Sequence, residues 1–349
     1  MLQPDFNRLV KVFMRQKTDY PVLFEYFMNM PLLERMAKCT VSNPLDNFES
    51  CKVIVKAFYN AGYDYVTIPS RFINPFSFPA GEIHRAETIS LNEGNTITDW
   101  ESFENYQWQN PDNFDYSILN KLKNILPEGM KIIVPAPGGV LENVIQLVGF
   151  ERLCFMIFEN EALVDEIFKQ VGSRLVQFYD IVCAFDAVGA VISNDDWGFK
   201  TQTMLSPDML RQYVFPFHRQ IVQTVHNHSK YAVLHSCGNL TQIFEEIVDD
   251  LKYDAKHSFE DEIISVENFY AQWGQQIAIV GGIDMDFLAR SSESAIYQRA
   301  SKLVEMCSDK GGYALGSGNS IPQFIPAQNY LAMIRPVLEQ RGIELKVEN

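Results

Sequence analysis

His235 and Cys237 stand two residues apart at the end of the apolar run in KYAVLHSCGN, with Gly238 directly behind them. The chain of 349 residues has only six histidines and six cysteines in all. In an extended strand, side chains two apart point to the same side, so an imidazole nitrogen and a thiol sulfur can face one point. Those donor types favour zinc among the common biological metals, and zinc needs more than two ligands: four in a closed site, three and an open position in a catalytic one. The favoured third donor is Glu260, beyond the next apolar run, with Asp261, Asp196, Asp284 and Glu25 as other options. Spacing alone leaves a second reading open, a core cysteine beside a hydrogen-bonded histidine.

The remaining cysteines, Cys39, Cys51, Cys154, Cys183 and Cys307, are scattered without a CxxC pair. They read as reduced, buried apolar fillers rather than a disulfide framework or a zinc ribbon. Apolar residues make up 47% and charged residues 21%, the profile of a globular protein. A net charge of −15 offers no basic face for a nucleic-acid backbone. No run approaches the roughly 20 apolar residues of a membrane span, and the first residues lack the pattern of a signal peptide, so a cytoplasmic location is expected.

Eight short apolar or β-branched runs must position these side chains: 22–27, 65–69, 131–136, 190–195, 231–236, 253–258, 277–282 and 313–317. They are mostly apolar rather than strictly alternating, which suits parallel strands covered on both faces, and the intervals between them can hold crossover helices. The expected fold is α/β, a single (β/α)8 TIM barrel over 1–349, with an N-terminal helical extension over about 1–20. The interval from about 70 to 130 is too long for one connection and reads as an insertion after the second strand, a lid or equally a structural flap or dimer contact. Within it a hairpin turning at Glu93-Gly94 and a helix capped by Asp99 are expected. Ser206 and Pro207 mark a helix start, and Pro216 should interrupt that helix.

In such a barrel the loops after the strands form the functional face. Glu25 falls within the first run, and Asn194, Asp195, Asp196, His235, Cys237, His257, Glu260, Asp261, Asp284, Ser317 and Asn319 fall at or just after strand ends, so polar groups gather at one rim. Asp195 and Asp196 have helix capping or a strand-end hydrogen bond as an equal alternative to a functional role, and Asp284 has capping of the MDFLARS helix.

The segments NDDWGFKTQTMLSPDMLRQYVFPFHRQIV, HSCGN, VGGIDMDFL and GGYALGSGNSIPQFIPAQNYLAMI, in this order, resemble the uroporphyrinogen decarboxylase-like superfamily of (β/α)8 enzymes over about residues 20 to 340. The haem-pathway decarboxylase branch carries an arginine-rich carboxylate clamp near its start. Here EYFMNMPLLERMAKC holds only Arg35, so that branch ranks second. The corrinoid-dependent methyltransferase branch, similar to methylcobamide:coenzyme M methyltransferase, carries a His-x-Cys zinc motif and a distant Cys. The resemblance implies His235 and Cys237 as zinc ligands, Glu260 as a third and Asn319 at the position of the last, where it would touch substrate, leave a more open and more Lewis-acidic zinc, or mark a weakened site. With zinc there, Asp196 and Asp284 are expected to orient substrate or the histidine ligand, whose other nitrogen needs a carboxylate or carbonyl, with Asp261 as a further supporting residue. Tyr26 and Asn319 are candidates for substrate contact, with structural packing or hydrogen bonding as the equal alternative for each. No DxHxxG segment is present, so the methylcobalamin corrinoid would arrive on a separate protein. A small methyl donor or thiol acceptor is implied as substrate, and a homodimer as the assembly. A barrel kept only for binding, having lost its last ligand cysteine, is the non-enzymatic reading.

Overall fold

The computed structural model describes residues 3–80, 92 and 95–344. Eight parallel strands appear where the apolar runs place them: β1 (Val22–Leu23), β2 (Tyr65–Thr67), β3 (Lys131–Pro135), β4 (Val188–Asn194), β5 (Tyr231–His235), β6 (Ala255–His257), β7 (Ala278–Val280) and β8 (Tyr313–Leu315). The hydrogen-bonded order is β1-β8-β7-β6-β5-β4-β3-β2, and helices run between successive strands. This is the (β/α)8 barrel. Its core is the packed inside of that sheet together with the helix faces against it, which include Val191, Val233, Ile279 and Leu338.

The two ends of that order, β1 and β2, are bridged by side chains. Glu25 N–H donates to the Tyr65 hydroxyl at 2.5 Å, and the same hydroxyl donates back to the Glu25 carbonyl at 3.0 Å. Thr67 Oγ1 donates to that carbonyl at 3.1 Å. The backbone at the end of β1 therefore finds partners without a regular ladder, as buried peptide groups must.

The N-terminal extension is a helix, Phe6–Phe13, capped by Asp5. It lays Phe6, Leu9, Val12 and Phe13 onto the core, and Phe6 lies where a side chain on Gly189 would have to go. Between β2 and β3 stand short helices at Ser70–Ile73, Trp100–Asn105 and Ile118–Lys123. Asp99 caps the second of these, with Ser102 completing a reciprocal capping box. The hairpin expected at Glu93-Gly94 lies outside the described residues.

Ser206 caps the next predicted helix through Met209 N–H, with Pro207 in its first turn. Residues Leu210–Val214 then widen into a π-type turn before the helix resumes as Phe215–Asn227. Pro216 has no N–H to give the preceding turn, and the widened turn absorbs the missing bond. No helix among the described residues is long and apolar enough to cross a membrane.

Candidate metal centre

β4 and β5 pair in register through Asn194 and His235, and the chain beyond β4 stays bonded, with Asp195 N–H donating to the His235 carbonyl at 2.9 Å. Asp196 and Cys237 then meet across the strand ends, where Cys237 N–H donates to Asp196 Oδ1 at 2.8 Å. The close approach requires glycine. Gly238 has φ +83°, and a Cβ on it would lie 2.1 Å from the Gly198 carbonyl oxygen.

The result is one group of donors. A carboxylate oxygen of Asp196, a ring nitrogen of His235 and the sulfur of Cys237 lie within 4.8 Å of one another. His235 Nε2 is 3.8 Å from Cys237 Sγ. Glu260, the expected third donor, is not in the group. Ser258, at φ +82°, turns the chain after β6 and sends Phe259 into the core. Glu260 then faces a small recess of about 50 Å³ shared with Lys256, Phe244 and Trp273.

Two side chains aim hydrogens at the sulfur, Ser258 Oγ at 3.3 Å and Asn319 Nδ2 at 3.4 Å. The Asn319 amide is held this way round because its Oδ1 accepts from Ser320 N–H at 2.7 Å. Asn319 thus offers a hydrogen to the sulfur and not an oxygen to the group. Burial first, and the negative charge of Asp196 next, push the Cys237 thiol up to about 12. A cation among these groups would remove both penalties.

His235 is fully packed. Its ring lies against Tyr26 at a centroid distance of 4.4 Å and against His257 at 4.9 Å, and the two imidazoles meet through their Nδ1 atoms at 2.7 Å. Burial and the neighbouring His257 lower the pKa of His235, and burial brings that of His257 to about 3. Burial, then the charges of Glu142 and Asp196, raise the Tyr26 phenol. Lys256 Nζ is spent on three carbonyls, those of Ser236, His257 and Ser258, at 2.6 to 3.0 Å, and burial lowers it to about 8.

Asp261 and Asp284 serve the loops. Asp284 caps the helix Met285–Arg290 through Phe287 N–H at 2.9 Å, and its other oxygen accepts Asp261 N–H at 3.0 Å. Asp261 itself is forked onto Arg299. Asp195 is fully buried and caps a different element: its oxygens accept from Leu141 and Glu142 N–H at 3.0 and 2.9 Å, opening the helix Val140–Val148. His218 Nε2 completes its shell at 2.9 Å, with Tyr253 OH 2.7 Å from the far nitrogen.

Glu142 is not among the residues the sequence pointed to, and His257 was placed at the rim without a role. Glu142 takes Gly139 N–H at 2.8 Å and Asn194 Nδ2 at 3.2 Å, and Asp196 N–H lies 3.3 Å from its other oxygen. Burial, then Asp195 and Asp196, bring it to about 8, at the edge of a cavity of about 720 Å³ that Phe76 and Phe78 also line. Its signal was the position three residues after Gly139 at a helix start. His257 pairs with His235 in the β5/β6 register. Its signal was that AVLHS and DAKHS, neighbouring parallel strands, end in the same His-Ser pair.

The family model of uroporphyrinogen decarboxylase (URO-D) matches residues 8–339. Among solved structures, the chain resembles a methyltransferase from Methanosarcina mazei with a TM-score of 0.69 at 15% identity, covering 95% of this chain and 97% of that one. A protein from Listeria monocytogenes assigned as a vitamin-B12 independent methionine synthase matches with a TM-score of 0.49 at 11% identity, over 93% and 98% of the two chains. At these identities the likeness is one of fold. No curated protein matches the chain. The match over nearly the whole barrel makes this chain a member of the uroporphyrinogen decarboxylase family.

Proposed function

We propose that this chain is a zinc-dependent methyltransferase that moves a methyl group between a small methylated compound or thiol and a corrinoid carried by a separate protein. The observation behind this reading is the gathering of Asp196, His235 and Cys237 at the open ends of β4 and β5. One nitrogen, one sulfur and one oxygen are the donor types zinc takes, and three protein ligands leave the open position of a catalytic site. The 3.8 Å between nitrogen and sulfur is close to the roughly 3.6 Å that tetrahedral bonds of zinc lengths set. The residues present fit the ion.

Zinc held there supplies one chemistry in two directions, keeping an acceptor thiol deprotonated at neutral pH or polarising the heteroatom of a methyl donor. The protein's own part is to hold and to shield. Asp196 brings a carboxylate to the group while accepting Cys237 N–H, and Ser258 and Asn319 draw charge from the sulfur. Hydrogen bonds to a ligand sulfur make it a weaker donor and leave the site a stronger Lewis acid. Tyr26 covers the imidazole and keeps water from that side. Asn319 is our candidate for substrate contact together with Tyr26. Asp261 and Asp284 keep a supporting part, locking the loops after β6 and β7 to each other. The corrinoid protein would dock on the same strand-end face.

The deciding experiment is zinc content per chain of the wild type and Cys237→Ala, followed by methyl transfer from free methylcobalamin to a thiol and from a methyl donor to free cob(I)alamin. About one zinc in the wild type, little in the variant and a zinc-dependent change in the cobalamin spectrum are expected. No zinc in either would sink the reading.

A further inference from the structure

His235 and His257 share a hydrogen bond between like atoms, Nδ1 to Nδ1 at 2.7 Å, so one nitrogen carries the hydrogen and the other the lone pair. The far side of His257 makes the choice. His257 Nε2 lies 3.2 Å from the Ser317 backbone carbonyl, which can only accept, so Nε2 carries a hydrogen. The ring is fully buried, flanked by Phe24 and Tyr26 and pressed against Gly281, whose missing Cβ would sit 2.8 Å from it.

The charged groups around it do not favour a second proton. Lys256, next in the strand, keeps its ammonium on the His257 carbonyl itself, and Glu25 is turned to the Ser317 hydroxyl and N–H rather than to the ring. A buried imidazole with a single acceptor and no carboxylate contact is neutral. His257 Nδ1 is then bare, and His235 Nδ1 must be the donor.

We propose that His257 is a positioning residue for the candidate metal centre: it fixes His235 as the Nδ1–H tautomer, so that the unprotonated Nε2 faces the sulfur of Cys237. In solution the other tautomer, with hydrogen on Nε2, is the commoner form of imidazole. That form would point a hydrogen at the donor group and block it. The tautomer assignment stands on the hydrogen bonds and on the uncharged, carboxylate-free packing of His257; its consequence for a metal rests on the reading given above.

The test uses the full chain with ring-¹⁵N histidine, free of metal, and long-range ¹H–¹⁵N correlation of the imidazoles. His235 is expected to show a protonated Nδ1 and a bare Nε2, and His257 the reverse. His235 with hydrogen on Nε2 in the wild type would overturn the proposal. Zinc affinity by chelator competition gives the second readout. His257→Asn, which can keep an acceptor facing His235, is expected to stay within about threefold of wild type and to retain the tautomer. His257→Phe, which cannot, is expected to lose about 10- to 100-fold in zinc affinity and to shift His235 toward the Nε2–H form. Unchanged tautomer and affinity in His257→Phe would refute the positioning role. A wild type with the stated tautomers and no zinc would refute the metal reading and leave the assignment of hydrogens standing.

Discussion

Cys237 N–H donates to Asp196 Oδ1 at 2.8 Å, and with that bond the strand end carrying the sulfur is tied to the strand end carrying the carboxylate. Two of the three gathered donors thus hold each other in place through the backbone. The third, His235, is already in register with β4 through Asn194.

Exchanging the two rival carboxylates separates them. Asp196→Asn keeps an oxygen for Cys237 N–H but removes the charge, and zinc affinity is expected to fall about 10- to 100-fold with little loss of stability. Glu260→Gln, in its recess away from the group, is expected to leave zinc content unchanged. Chelator competition on both variants checks this, and zinc loss in Glu260→Gln alone would return Glu260 to the ligand set.

Gly238→Ala tests the close approach of the loops. At φ +83° and with the Gly198 carbonyl oxygen 2.1 Å from the new methyl, the loop must shift. A destabilisation of about 2 kcal/mol or more is expected by urea unfolding. Loss of zinc binding should accompany it because Cys237 is the preceding residue. A variant as stable as wild type would show that the loop yields without strain.

The buried Asp195 and His218 pair carries stability rather than chemistry. Asp195→Ala strands Leu141 N–H, Glu142 N–H and the His218 ring nitrogen at once. A loss of about 3–5 kcal/mol is expected, against about 1 kcal/mol for Tyr253→Phe at the far end of the chain of bonds. Equilibrium denaturation of the two variants measures both. Equal, small losses would mean that water replaces the carboxylate.

Glu25 gives the fold a pH dependence of definite sign. Burial raises its carboxyl from 4.5 to about 8, against the pull of Ser317. Between those values the folded chain keeps a proton that the unfolded chain has released. Its contribution is fully present below pH 4.5 and is lost as pH rises through about 8, a change on the order of a few kcal/mol. Glu25→Gln should flatten that decline in part, since Glu142 is also raised to about 8 and acts with the same sign. Denaturation midpoints of both proteins from pH 5 to 9 would reveal it, and parallel curves would mean that Glu25 is ionised in the fold.

Much of the molecule was legible without coordinates. Apolar runs with helical intervals determined the eight strands, and the caps at Asp99 and Ser206 lay where serine and aspartate precede helical spacing. His235 and Cys237 were also readable as a pair, since a strand puts alternate residues on one side. These are local rules, met within a few residues. The partners of that pair were a matter of tertiary structure. Asp196 rather than Glu260 completes the group because the turn at Ser258 carries Glu260 away, while pairing with β5 continues one residue past β4, at Asp195. Asp195, beside it, is consumed by the first turn of a helix, where Leu141 lies 54 residues earlier in the chain. His257 reaches His235 only through the register of β5 and β6. Sequence spacing contains the direction of each side chain from its own strand; register and loop turns, which follow from packing the whole barrel, decide what that side chain meets.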